Sequence, residues 1–405
     1  MSVELLSIAF NLPPGNTDGP SVTIRRNAVD AIPLPEWRSG ETLTADQSLV
    51  AYSNVKAQNQ VVNIRIRMRG PAGSSFRIRA LGPDRTEQQR LGCALVFFYL
   101  LLRLLPFPQR ERLNMLGDIE PFTIAFPQTQ TVDQFSEAER TISLSNHSIG
   151  GTGVWVSNTN WRWQYEDDSG WHDIVTTRHR VYCLHDHPTR PWQQDYMGGA
   201  NPKLPWTDAL DIVCEWSAFA RSAGDIATAI ADGVWNAGSS GLFRYDASGS
   251  DPEFTSVDLG GTFNLTRFLG HLQRARGTRP VQCYDCAAAV STLANLLGAD
   301  LDQFQFNFGG LPGALEGGSR LLLLIGHRDP ERASWTEHEI TTVPRAIGSQ
   351  VWDACLQLNR VVTPTSRVSF IGEPPRGMLF SRYKTLFLED PMQQTPTRRG
   401  RRDIT

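Results

Sequence analysis

The apolar residues of this chain recur with one period up to about residue 187 and with another after about residue 205. No single packing scheme satisfies both. In the first stretch Val62, Ile64, Ile66 and Met68 alternate with Asn63, Arg65, Arg67 and Arg69, the two-residue repeat of a half-buried strand. Beyond Gly70-Pro71-Ala72-Gly73, Phe76, Ile78 and Ala80 alternate with Arg77 and Arg79, so the two runs predict a hairpin. Further short strands are expected at 122–126, 141–145, 154–156, 161–165 and 174–184, separated by Gly, Asn, Ser and Asp turns. That spacing predicts an antiparallel β-sandwich over residues 1–187.

Residues 188–205 (PTRPWQQDYMGGANPKLP) are rich in Pro and Gly and read as a linker. Helical periodicity follows. Asp208 caps a helix carrying Ile212, Val213, Trp216 and Phe219, Asp225 starts a second, and Asn264 caps a third with Leu265, Phe268, Leu269 and Leu272 on one face. A fourth helix is expected from about Tyr284 to Leu297, closed by Gly298. Strands are then expected at 320–325, 337–343 and 350–358. Helices followed by strands make residues 206–390 an α+β domain. Residues 391–405, rich in Pro and Arg, read as a disordered basic tail.

One stretch breaks the β pattern. Residues 94–107 (ALVFFYLLLRLLPF) are strongly apolar, but Arg103 interrupts them and Pro106 closes them, short of the ~20 residues a spanning helix needs. No membrane span is expected. Joining the sequence before Gln89 to that after Leu116 gives a continuous strand–loop–strand pattern. The apolar insertion at about 90–115 is therefore either an amphipathic helical addition or a segment translated from a retained intron or misjudged gene model. The second is the reading preferred here, and sequencing the transcript decides it.

Composition removes several classes of function. Hydrophobic residues at 40% and charged residues at 20% fit a folded, core-forming chain. Lys and Arg number 39 against 42 Asp and Glu, which gives no electrostatic footprint for nucleic acid. Six cysteines are too few for a disulfide-stapled scaffold. The first residues, MSVELLSIAFNLPP, lack the basic start of a secretory signal, so a cytoplasmic location is expected, with export by another route left open.

The chemistry-bearing segment is Val281-Gln282-Cys283-Tyr284-Asp285-Cys286-Ala287. With Ala287, Val290, Leu293, Ala294 and Leu297 as a buried stripe, Cys283 falls in the first turn of a helix. Unpaired N–H groups and the positive end of the helix dipole favour a thiolate there, and the same N–H groups can hold an oxyanion. Downstream, His338 opens one expected strand and Trp352-Asp353 lies in the next. If those strands pair, Cys283, His338 and Asp353 form a Cys-His-Asp triad.

These residues resemble the catalytic core of transglutaminase-like cysteine enzymes, a branch of the papain-like fold. Cys283, Asp285, Ala287 and Gly298 stand at that family's helix positions, and His338 and Trp352-Asp353 follow in its order. The likeness covers about 205–390 loosely and rests on three short motifs. Gln282 and Val281 precede the cysteine where family members often carry Gly, and Glu339 follows the histidine where a small residue and Trp are common. The resemblance implies a transglutaminase-like α+β domain that attacks a carboxamide or peptide carbonyl in a protein or peptide substrate, without metal or organic cofactor. Cys283 is then the nucleophile, His338 the proton shuttle and Asp353 its orienting carboxylate, with Gln282 assisting at the oxyanion and Trp352 beside the site. Products by hydrolysis, deamidation or cross-linking are equally open, as is the oligomeric state.

Plainer readings stand beside these. Cys286, one turn on, packs; a single CxxC is not a zinc site. Asp285 caps the helix start. His327 is the alternative imidazole, and His271 faces solvent. Cys183, His185 and His187 share one strand face and could bind a metal, although an exposed His run is the commoner meaning. Trp155, Trp161, Trp163 and Trp171 read as core and hairpin packing before a carbohydrate platform. The alternating arginines read as a solvated sheet face before an anion site. The rival to an enzyme is a catalytically inactive relative that works as a binding protein through its β domain.

Overall fold

The computed structural model describes residues 2–13, 18–40, 48–82, 116–128, 134–144, 149, 153–192, 203–246, 248, 251–256, 261–274, 277–307, 321–331, 337–344, 350–360, 370–388 and 396–405. Helices and strands are mixed along it, an α+β chain. It divides into two compact units, residues 1–26 with 30–186, and residues 187–405 with 27–29.

The first unit is built from β1 (Glu4–Ala9), β2 (Ser21–Val22), β3 (Trp37–Arg38), β4 (Leu49–Ser53), helix α1 (Asn54–Asn59), β5 (Asn63–Pro71), β6 (Ser75–Leu81), β7 (Ile119–Ala125), β8 (Phe135–Ser143), β9 (Trp155–Asp167) and β10 (Gly170–Leu184). They form a four-stranded sheet in the order β3-β1-β5-β8 and a six-stranded sheet in the order β2-β4-β10-β9-β6-β7. The expected hairpin of β5 and β6 does not exist. The two strands belong to different sheets, and Pro71–Ser74 carries the chain from one to the other. Alternation alone marks an inward face; it cannot say whether the next strand pairs beside it or crosses the core. The inward residues of both, Ile64, Ile66, Met68, Ile78 and Ala80, meet in one core. The sheets are also not wholly antiparallel, since β10 pairs with β4 in parallel.

Residues 154–156 and 161–165, expected as separate strands, are one strand, β9, which turns into β10. Gly170, at φ +117°, takes a backbone angle that side chains disfavour. Trp155, Trp161 and Trp163 are buried, each contributing about 2–3 kcal/mol of burial, so core packing accounts for them. The arginines face outward on both sheets: Arg65 and Arg67 pair with Glu139 and Glu137, Arg77 with Glu166, and Arg79 lies 3.9 Å over the Trp171 ring. Each strip is offset by its acidic neighbours.

The apolar insertion lies outside the described residues. Its flanks do not: β6 pairs with β7, and the Gly82 N–H donates to Asp118 Oδ1 at 2.7 Å. The chain thus leaves and rejoins one end of a single strand pair. No helix among the described residues is long and apolar enough to cross a membrane.

The second unit contains α2 (Thr207–Trp216), α3 (Ala223–Ser239), β11 (Phe243–Tyr245), β12 (Thr262–Phe263), α4 (Leu265–Arg274), β13 (Arg279–Val281), α5 (Cys283–Leu296), β14 (Asp302–Asn307), β15 (Leu322–Leu324), β16 (Glu337–Thr342), β17 (Gln350–Trp352), β18 (Leu356–Asn359), β19 (Gly372–Glu373), β20 (Arg376–Leu379), α6 (Phe380–Phe387), β21 (Thr397–Gly400) and β22 (Asp403–Ile404). Every residue of α5 is buried. It packs on α3 and on the five-stranded sheet β20-β17-β16-β14-β21.

Three expectations are corrected here. The strand expected over 350–358 breaks at Asp353, where β17 ends in the five-stranded sheet and β18 begins in the sheet β15-β18-β19. The basic tail is not a tail: β21 pairs with β14 and β22 with β12, because its arginines meet carboxylates distant in sequence. His271 does not face solvent but is buried, its Nε2 2.9 Å from the Leu242 carbonyl. Trp192, in the segment read as a linker, is buried too and donates from Nε1 to the Thr292 carbonyl at 2.8 Å.

Candidate functional site

The local sequence dictates where α5 begins. Asp285 Oδ2 accepts the Gln282 N–H at 3.1 Å and the Glu253 N–H at 3.0 Å, while Oδ1 accepts the Phe254 N–H at 2.8 Å. One buried carboxylate thus fastens the helix start to the chain before it. That makes Asp285 a cap and places Cys283 in the first turn.

α5 lies against one face of the sheet. Thr341 Oγ1 donates to the Ala287 carbonyl at 3.2 Å, Gln303 Nε2 to Ser291 Oγ at 2.6 Å and Gln305 Nε2 to Tyr284 Oη at 2.8 Å. The strand period puts Glu339 on this same face. The backbone N–H of Glu339, in the peptide joining His338 to Glu339, acts on the Cys283 thiol to favour its ionised form. By the same period His338 turns its side chain to the opposite face, where its cross-strand neighbour Phe306 also points.

His338 is fully buried. Its Nε2 lies 2.9 Å from Asp353 Oδ2 and 3.0 Å from Tyr383 Oη. Tyr383, on α6, donates to the same Asp353 oxygen at 2.7 Å. Asp353 Oδ1 accepts the Cys355 N–H at 2.8 Å, so the strand break itself orients the carboxylate. Antiparallel pairing of β16 with β17 (Thr341 opposite Trp352) brings His338 and Asp353 together. The Phe387 ring lies 5.0 Å from the His338 ring and Phe306 packs on Tyr383, so water has little access to the pair.

Burial dominates the electrostatics. Cys283 is 3% exposed, and burial pushes its thiol well above the ordinary range; the Glu339 N–H opposes this, and the charges of Glu339, Asp353 and Cys286 add to it. Burial first, and then Asp353, raise the Tyr383 phenol, which stays a donor. Cys355 is raised by burial and by its contact with Cys286.

Of the other expected residues, Trp352 is buried, and its Nε1 donates to Thr228 Oγ1 on α3 at 3.1 Å. Gln282 stands immediately before α5. His327, the alternative imidazole, sets Nε2 3.0 Å from the Tyr245 carbonyl and Nδ1 3.0 Å from Glu331. Cys183 is buried in the first unit's core, where Asn54 Nδ2 contacts its sulfur at 3.7 Å. Among the described residues no group of three His, Cys, Asp or Glu side chains is placed to hold a metal. Sequence reasoning missed Tyr383 and Arg402. Phe380, Tyr383 and Phe387 recur at helical spacing, a signal that could have found α6, although not the role of the phenol.

No family model matches the chain, and no curated protein matches it. Among solved structures, red sea bream transglutaminase aligns at 12% identity and a TM-score of 0.27, over 78% of this chain and 48% of that one. The chain thus spans about half the length of that structure. The functional reading below rests on the side chains themselves.

Proposed function

We propose that the second unit is a transglutaminase-like α+β domain and a cysteine-dependent acyl-transfer enzyme acting on carboxamide or peptide bonds. Two features support this reading: a buried thiol in the first turn of α5, and a buried imidazole held by Asp353. With Nε2–H donating to Asp353, the lone pair sits on Nδ1, the tautomer a general base needs. On this reading the His338 ring, which the strand period sets on the sheet face away from α5, must reach the thiol past the end of β17; Nδ1 then takes the Cys283 proton, the sulfur attacks the carbonyl carbon, and the negative oxygen is held by the Cys283 N–H with help from Gln282. Collapse breaks the C–N bond as His338 returns the proton to the leaving nitrogen. Water or an amine then takes the acyl group from sulfur. Tyr383 holds Asp353 and so fixes the ring.

A second reading has its own observation. Cys283 is 3% exposed and burial disfavours its thiolate, as suits a chain that keeps the fold for binding, with the β unit as the working part. Ammonia release and labelled-amine incorporation from glutamine-containing peptides separate the two. The acyl-transfer reading expects one or both in the wild type and a loss of at least about 100-fold in Cys283→Ala. Turnover of neither product, or equal turnover in the variant, favours the binding protein.

A further inference from the structure

The residues at 397–404 bring a cation to Glu339 and to the ring of Tyr284, the residue after Cys283. Arg402, 5% exposed, sets Nη2 2.8 Å from Glu339 Oε2, and its Nη1 bonds Glu339 Oε1 and Gln303 Oε1. Its Nε donates to the Ser256 carbonyl at 3.3 Å, and its guanidinium lies 5.4 Å over the Tyr284 ring. Glu339 is itself buried on the sheet face that carries α5, opposite Gln305, whose Nε2 bonds the hydroxyl of Tyr284 next to Cys283. A buried carboxylate so close to a thiol opposes its ionisation, and in low dielectric the opposition is strong. A guanidinium gripping both carboxylate oxygens cancels that field with the geometry such pairs favour.

We propose that Arg402 is a positioning residue of the Cys283 site, acting through Glu339: it neutralises the buried carboxylate beside the nucleophile, and the strand that carries it is part of the site. This rests on the acyl-transfer reading for its purpose, but not for its measurement. The other groups facing the thiol are Asp353 and Cys355 at the β17–β18 break, Cys286 and Tyr284 on α5, Tyr245 on β11 and Tyr383 on α6. Those facing Glu339, besides Arg402, are Arg399 and His338 and Tyr284. None of them balances Glu339 with a paired guanidinium.

The test is the pH midpoint of Cys283 alkylation by iodoacetamide, read by peptide mass spectrometry, in four variants of the full chain. A change of access alters the plateau rate, whereas a change of charge moves the midpoint. Arg402→Gln is expected to move the midpoint up by about one unit, tenfold in thiolate fraction at a fixed pH below it. Glu339→Gln, which leaves the guanidinium uncompensated, is expected to move it down. Arg402→Lys and the double variant Arg402→Gln/Glu339→Gln are expected to stay near wild type. Shifts of the same sign in both single variants, or no shift in either, overturn the proposal, because a merely structural pair moves both alike. If Arg402→Gln does not fold, the downward shift in Glu339→Gln and its reversal in the double variant decide the matter. An unchanged profile in His338→Ala removes the acyl-transfer reading and leaves this opposite-sign test standing.

Discussion

Three buried titratable groups, one in the first unit and two in the second, show how context separates their surroundings at the scale of the residue. His179 is enclosed by Phe10 and Trp161, with Nδ1 2.7 Å from Ser48 Oγ and Nε2 2.8 Å from Thr177 Oγ1. Burial pushes it from near 6.5 down to about 3, and no carboxylate appears among the causes of that shift. Cys283 and His338 are equally dry, but polar groups meet them: the Glu339 N–H opposes the effect of burial on the thiol, and Asp353 bonds the imidazole. A depressed histidine has a stability signature. Its neutral form is favoured in the folded state, so the contribution is complete above about pH 6.5 and is lost as pH falls toward 3, on the order of 2 kcal/mol at pH 5. Thermal melts of wild type and His179→Gln, taken from pH 7 to pH 5, should show the wild type losing more stability by that amount. Parallel curves would contradict it.

At the scale of the element, the strand at 397–400 and the residues after it are fastened by charge. Asp302 is fully buried and accepts both Arg398 and Arg401, the latter from Nε at 2.6 Å, while Arg401 also reaches Asp300. Removing one buried member of such a network costs about 3 kcal/mol when both partners are dry, and less here because Arg398 is half exposed. Asp302→Asn should therefore raise amide exchange over 397–404 at least about tenfold, with α5 still protected. Unchanged exchange there would show that the backbone pairing to β14 suffices alone. This element was illegible in the sequence for a definite reason. The run RRGRR is followed by a single acidic residue, Asp403; its partners Asp300, Asp302 and Glu339 lie 63 to 101 residues away, and local patterning carries no trace of them. The start of α5 was legible because its cap, thiol and apolar stripe are all local.

At the scale of the whole molecule, the change of hydrophobic period falls near residue 187, where the described strands of the first unit give way to the mixed helices and strands of the second. It did not tell how strands connect. Alternation marked the inward faces of β5 and β6 but not that they oppose each other across the core, and Asp353, a residue strands disfavour, was the one local sign of the break within 350–358. The histidine–carboxylate pair could be read from order and spacing, because antiparallel neighbours joined by a short connection bring such residues together. Tyr383 and Arg402 could not, since each arrives from a distant element. The central claim is that Cys283 and His338 form one reactive unit, and alkylation of Cys283 by iodoacetamide across pH, in wild type and His338→Ala, tests it most directly. Burial raises the thiol, so the account predicts not a fixed midpoint but a relative one: labelling in the wild type sets in at lower pH than in the variant, because the imidazole favours the thiolate. Labelling that sets in at the same pH in both proteins would contradict it.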